Sequence, residues 1–313
     1  MKLYLDPWPP DYEPPIQMDD ALYDGPVDVT VETEDWRAIC NPQQPLFGKL
    51  YFIDGTRRID ARVMTDVNGK TVHGLFGTVA VGCVESDGAK ATIPFVEIRR
   101  YLVMGAGINR HETLQIGNAE LRYTGEATHE SSPDEALSRL QNLMRDAEAH
   151  LGQDLLTPGA CVFCDGPLTY FTHCADALIG IVKKIQKPYL DPVHFDLVQR
   201  LQTGERTPLF HIPDPKHERY SWYLRVGNVR RIDHPLSGIL RLEVRSTIGI
   251  DAACRLADFS TLELPRFAST QARDPRAPQN LAPVGALESE LRRRMGDPVL
   301  IRRAIEKRLA VEY

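Results

Sequence analysis

GKLYFIDGTRRIDARVMTDVNGKTVHGLFGTVAVGCVE, residues 48–85, is the stretch on which the fold turns. GKLYFIDG is a short apolar run that closes on Asp54-Gly55. RRIDARVMT then alternates apolar and polar residues, and beyond Val67-Asn68-Gly69-Lys70 the segment HGLFGTVAVGCVE alternates again. Period-two alternation broken by Gly and Asn turn signals predicts three consecutive antiparallel strands. More strands are predicted within 91–125, in TIPFVEIRRYLVMG and LQIGNAELRYTG.

The pattern changes at Ser131-Ser132-Pro133-Asp134-Glu135, which combines a hydroxyl cap, a proline in the first turn and acids at the positive end of a helix dipole. Leu137, Leu140, Leu143, Met144, Ala147 and Leu151 follow at helical spacing, so a helix is expected to end near Gly152. Two segments after it, ACVFCDGPL (160–168) and ALIGIVKK (177–184), are apolar on both faces, as interior strands covered by helices are. Residues 188–222 are rich in Pro, His and charge and are expected to form a long surface excursion facing substrate. Strands are expected again in WYLRVGNVRRID and GILRLEVRS. The end, about 283–309, is helical and split near Gly296-Asp297-Pro298. Strands, a helix, further strands and then helices make the chain α/β with a mixed sheet. Residues 1–45, with Pro7, Pro9, Pro10, Pro14 and Pro15, are expected to be a Pro-rich arm, and 46–313 a single domain with irregular insertions.

Composition narrows the function. The chain has 313 residues, 42% apolar and 26% charged, which suits a globular protein that folds without disulfides or a structural metal. No run of about 20 apolar residues occurs, so a membrane-spanning helix is excluded. The opening MKLYLDPWPPDYEPP is too acidic and Pro-rich for a signal or transit peptide, and the expected compartment is the cytoplasm. A formal net charge of −6 argues against a nucleic-acid partner as a whole-chain average. The basic residues are nevertheless mostly Arg, with Arg57-Arg58, Arg99-Arg100 and Arg292-Arg293-Arg294 adjacent. Such runs are either solvated faces or planar forks for phosphate. Cys161 and Cys164 have a metal-ligand spacing, with His173 and Cys174 nearby. Residues three apart on a strand point to opposite faces, so buried thiols are the better account.

The acids point elsewhere. Asp54 and Asp165 each end an apolar run and precede a glycine that lets the chain turn away. Sites in open α/β sheets gather at strand ends, and two carboxylates there repel unless a cation lies between them. Over the helix 134–151, Glu148 falls on the edge of the buried stripe, where it can aim at the sheet. Converging carboxylates suit a hard divalent cation.

Several segments together resemble the NurA nuclease family: FIDGTRRID (52–60), VFCDGPL (162–168), ALIGIVKK (177–184), WYLRV (222–226) and APQNLAPVGALESELRRRMGDPVLIRRAIEKRL (277–309). The resemblance implies an RNase H-like core, a homodimer and a HerA-type hexameric translocase as partner. It also implies hydrolysis of DNA with Mn²⁺ or Mg²⁺ as cofactor, 5′→3′ exonuclease and single-strand endonuclease activity, and a role in resecting DNA ends. Carried over, the catalytic acids fall on Asp54, Glu148 and Asp165, and a phosphate-contacting lysine on Lys183. Lys184, Arg57 and Arg58 are the neighbouring candidates for DNA contact. Glu288 stands where the family commonly has a histidine and is a candidate fourth metal ligand. The alternative is a dimeric, non-catalytic clamp on a translocase ring, its nuclease site degenerate.

Overall fold

The computed structural model describes residues 4–5, 23–40, 47–87, 90–171, 177–185, 188–228, 230, 233–274 and 276–311. After a two-residue strand β1 (Tyr4–Leu5), residues 48–85 form two long strands where three were expected. β2 (Lys49–Val67) runs straight through Asp54-Gly55, and β3 (Lys70–Ser86) returns beside it. Asn68 and Gly69 both have positive φ, the tight-turn geometry that matches strand twist. Asp54 therefore lies inside a strand and does not close one. At Asp60 the β2–β3 register slips by one residue, a β-bulge.

The remaining strands are β4 (Ala91–Met104), β5 (Glu112–Ile116), β6 (Ala119–Ala127), β7 (Ala160–Asp165), β8 (Leu178–Val182), β9 (Phe210–Ile212), β10 (Arg219–Arg225) and β11 (Ile239–Arg245). They join one sheet in the order β5-β6-β4-β3-β2-β7-β8-β11-β10-β9, with β1 pairing on β2. β2, β3 and β4 are antiparallel neighbours, while β7 and β8 run parallel to β2. This is the mixed sheet of an RNase H-like core, extended at both edges.

Helices cover both faces. α1 (Pro133–Leu155) opens as its sequence dictates, with the Ser132 side chain accepting the Glu135 N–H at 3.2 Å. Its Leu137, Leu140, Met144, Ala147 and Leu151 pack with Ile53, Val79, Val81 and Cys164 on one side of the sheet. Gly152 does not end α1. It lies inside the helix, where a side chain would collide with the Phe171 ring at 2.6 Å. On the opposite side, α3 (Ile250–Glu263) and α4 (Ala282–Arg294) pack against Phe52, Phe163, Trp222 and Leu242. α5 (Pro298–Ala310) covers the strand ends beyond the bulge, around Ala61, Phe76 and Tyr123. Cys161 and Cys164 fall into the two opposite layers, as strand alternation requires. Cys174 and His173 lie outside the described residues.

The 188–222 segment is not a surface excursion. It contains α2 (Pro192–Arg200) and β9 and buries Leu190, Val198, Leu209, Phe210 and Ile212 in a cluster of its own. The covering residues come from far away in sequence: Val27, Val29, Trp36 and Ala38 pack against that cluster. Arg206, 1% exposed, meets Glu32 at 2.7 Å and Asp258 at 2.6 Å. Trp36 Nε1 donates to the His194 carbonyl at 3.0 Å. Proline and charge along 188–222 hide a core whose partner is the early chain. Among the described residues no helix is long and apolar enough to cross a membrane.

Candidate active site

The site starts from a register. Parallel pairing of β2 and β7 sets Phe52 opposite Phe163, and the two rings stack with centroids 5.2 Å apart. Side chains alternate along a strand, so Asp54 and Asp165, each two residues further on, project from that same face. The repeated Phe-x-Asp is what brings the two acids together. After Asp165, Gly166 takes φ +113° and the chain turns away.

Gly55 has another purpose. In its extended position a Cβ would lie 2.5 Å from Glu148 Oε1 and 3.0 Å from Met144 Cγ. The missing side chain is the opening through which the α1 glutamate reaches the sheet. Glu148 is fully enclosed, 5% exposed, one turn after Met144.

Arg145 Nη1 donates to Glu148 Oε2 at 2.8 Å and also to the Asp165 main-chain carbonyl at 2.9 Å. Glu148 Oε1 is buried and makes no hydrogen bond among the described residues. Lys183 Nζ bridges Asp165 Oδ2 and Asn280 Oδ1, each at 2.7 Å. Asn280 in turn donates to Asp274 at 2.6 Å, Asp274 holds Arg276, and Arg276 reaches Glu288 at 2.7 Å. Arg292 holds the other Glu288 oxygen at 2.6 Å. Among Asp54, Glu148, Asp165 and Glu288, Asp54 is the acid without an ion-pair partner within the described residues. Within the described residues its Oδ1 accepts the Gly55 N–H, at 2.9 Å.

The electrostatics follow. Burial first, then the charges of Asp165 and Glu148, hold the Asp54 carboxyl well above its ordinary range; Lys183 pulls it back, and Glu288 pushes it further up. Burial also raises Glu148, against the pull of Arg145, with Asp165 adding to the rise.

The predicted residues therefore divide. Asp54, Glu148, Asp165 and Lys183 converge, and Glu288 is near enough for its charge to be felt at Asp54. Arg57 and Arg58 leave the same strand on opposite faces: Arg57 Nε donates to Gln141 of α1 at 2.6 Å. Arg58 pairs with Asp60 and donates to the Gly296 carbonyl at 2.8 Å, beyond the end of α4. Lys184 is exposed. Sequence reasoning missed Arg145 and Asn280. Arg145 carried a signal, since it stands one helical turn before Glu148 on the same side of α1. Asn280 lies within the resembling segment 277–309, but its bond to Lys183, 97 residues away, has no local signal.

A divalent cation fits these groups chemically. The donors are all carboxylate oxygens, one buried oxygen is unpartnered among the described residues, and one acid is held up by burial and then by its acidic neighbours. As the side chains stand, no three acids, histidines or cysteines among the described residues form a ready-made metal group, and internal cations take part of each carboxylate but Asp54.

No family model matches the sequence, and no curated protein sequence matches it. Solved structures do. The NurA nuclease from Sulfolobus solfataricus superposes with a TM-score of 0.51 at 11% identity, over 89% of this chain and 88% of that one. The Bacillus subtilis endonuclease V gives a TM-score of 0.33 at 13% identity, over 81% and 84%. The catalytic domain of human endonuclease V gives 0.34 at 15%, over 79% and 83%. The family resemblance read from the sequence thus has its counterpart in three dimensions: the chain has the fold of the Sulfolobus solfataricus NurA nuclease.

Proposed function

We propose that this chain is a divalent-metal-dependent DNA nuclease of the NurA type. The observation that carries the reading is the pair Asp54 and Asp165, each one residue beyond the Ile53–Cys164 pairing of β2 and β7, with Glu148 Oε1 buried nearby and unpartnered among the described residues. Likeness of fold to a NurA nuclease supports the same conclusion from outside the site.

In this reading Asp54 and Asp165 hold Mn²⁺ or Mg²⁺, Glu148 Oε1 supplies a third donor, and Glu288 reaches the site after loosening from Arg276 or Arg292. A bound cation supplies an activated water near neutral pH and charge stabilisation at the scissile phosphate and leaving oxygen. Lys183, held by Asn280, offers its ammonium to the phosphate. Arg57 and exposed Lys184 steer the DNA backbone toward the acids, and Arg58 anchors the strand that carries Asp54. The resemblance further supports a homodimer that works with a HerA-type translocase in resecting DNA ends, as a 5′→3′ exonuclease and single-strand endonuclease.

The test is a strand-labelled cleavage assay with Mn²⁺, Mg²⁺ and EDTA, paired with Mn²⁺ calorimetry. Asp54→Asn and Asp165→Asn should each cut activity by about a thousandfold, several kcal/mol of transition-state stabilisation, while the protein stays folded. Cleavage that survives EDTA and both substitutions would overturn the reading. A second reading, the non-catalytic clamp, draws on the cations already seated on Glu148, Asp165 and Glu288. Absence of Mn²⁺ binding at millimolar metal would favour it.

A further inference from the structure

Arg145 belongs to none of the roles assigned so far, yet it is the residue on which two site groups depend. Its Nη1 alone reaches Glu148 Oε2 and the Asp165 carbonyl, at 2.8 and 2.9 Å, so a single atom ties α1 to the end of β7. Only 17% of its side chain is exposed. Space for it is kept by Gly166, where a Cβ would stand 3.0 Å from that same nitrogen. Among the described residues Oε1 of Glu148 makes no hydrogen bond, while Oε2 takes the one from Arg145 at 2.8 Å.

The geometry points to Arg145 as a positioning residue: by bridging Oε2 of Glu148 and the Asp165 carbonyl, it fixes Glu148, whose Oε1 lies 2.5 Å from where a Gly55 Cβ would stand, relative to the strands that carry the two aspartates, and so sets the spacing of the metal ligands. This rests on the nuclease reading above and deepens it. Hydrogen bonds from outside the ligand set orient ligating groups, and their loss typically lowers metal affinity or activity by 10- to 100-fold. A guanidinium near a cation also acts in the opposite sense, because removing its charge makes the site more negative and strengthens cation binding. The two effects predict opposite signs, and that makes the inference decidable. Positioning is the stronger effect here because Arg145 already pairs with Glu148 and its Nη1 is the tether between two elements.

The experiment is Mn²⁺ calorimetry on the full chain for wild type, Arg145→Gln and Arg145→Lys, with circular dichroism as the check on folding. Glutamine is too short to reach both acceptors, whereas lysine keeps the charge and part of the reach. Arg145→Gln should bind Mn²⁺ about tenfold more weakly or worse, with Arg145→Lys between it and wild type. In the cleavage assay kcat should fall while KM for DNA holds. Unchanged or tighter Mn²⁺ binding by Arg145→Gln would overturn the inference and leave Arg145 a mere counter-charge. Should Arg145→Gln fail to fold, Arg145→Lys decides: weaker binding supports the clamp, unchanged or tighter binding removes it. Wild type that binds no Mn²⁺ defeats the nuclease reading itself, a separate result.

Discussion

Two buried aspartates stand six residues apart on one strand, and their surroundings could hardly differ more. Asp60, 2% exposed, sits in the β2 bulge. It accepts Arg58 Nε at 2.8 Å, Thr78 Oγ1 at 2.5 Å and the Tyr123 hydroxyl at 2.8 Å. Each donor comes from a different place, so the one carboxylate ties β2 to β3 and β6 and, through Arg58, to the end of α4. Asp54, 7% exposed, accepts one main-chain N–H and faces three other acids. Burial is the same in both cases. Satisfaction is not. A buried charge with its bonds complete is a rivet of the fold, whereas one left incomplete among like charges is poised for a cation from solution.

The largest effect is expected at Asp60. Asp60→Ala strands the Arg58 guanidinium and leaves two buried hydroxyls without their acceptor, which costs about 3–5 kcal/mol. Urea unfolding measures it, and cleavage per folded molecule should remain. Asp54→Asn should do the reverse, holding stability and losing cleavage. If Asp60→Ala keeps its stability and loses cleavage, the division between rivet and site is wrong.

A smaller effect separates two glycines that both admit a neighbour. At Gly55→Ala the new methyl meets Glu148, and at Gly152→Ala it meets the Phe171 ring. Overpacking of this kind costs about 1–3 kcal/mol in each. Only Gly55→Ala should also weaken Mn²⁺ binding, since only there is a site carboxylate pushed aside. Equal Mn²⁺ affinity in both variants would mean that the Glu148 position does not matter to the metal.

These glycines also mark where the sequence was and was not legible. Alternation found the strands, and Ser132-Pro133 found the start of α1, because those signals are local. The two carboxylates and Glu148 were legible because each rides on a regular element whose geometry can be projected. Gly55 and Gly152 read as breaks in a strand and a helix, since a glycine needed for close approach looks the same as one needed for a turn. The core beneath 188–222 was hidden for a different reason: its partner, around Val27, Val29 and Trp36, lies more than 150 residues away, and periodicity carries no long-range pairing. The acceptors of Arg58 beyond α4 were hidden for the same reason, since they lie more than 200 residues away.

The subtlest test concerns the pH dependence of the metal-free protein. Asp54 has a folded-state pKa well above its ordinary value near 3.8. Below that ordinary value both folded and unfolded chains hold the proton, and the residue contributes nothing to stability. As pH rises through it, the unfolded chain ionises first, the equilibrium shifts toward unfolding, and the loss levels off only above the raised folded value. Asp54→Asn mimics the protonated acid and escapes this loss. In EDTA, thermal unfolding should therefore show Asp54→Asn more stable than wild type at neutral pH, with the gap closing as pH falls toward 4. Glu148 is present in both proteins, and Asp60 with its donors is untouched. A gap that stays constant, or widens toward acid, would mean that Asp54 is as well satisfied as Asp60. Saturating Mn²⁺ at neutral pH should then invert the order, because a ligand bound only by the folded wild type adds stability as its concentration exceeds Kd. The same incompleteness that weakens the empty site is what gives the cation its binding free energy.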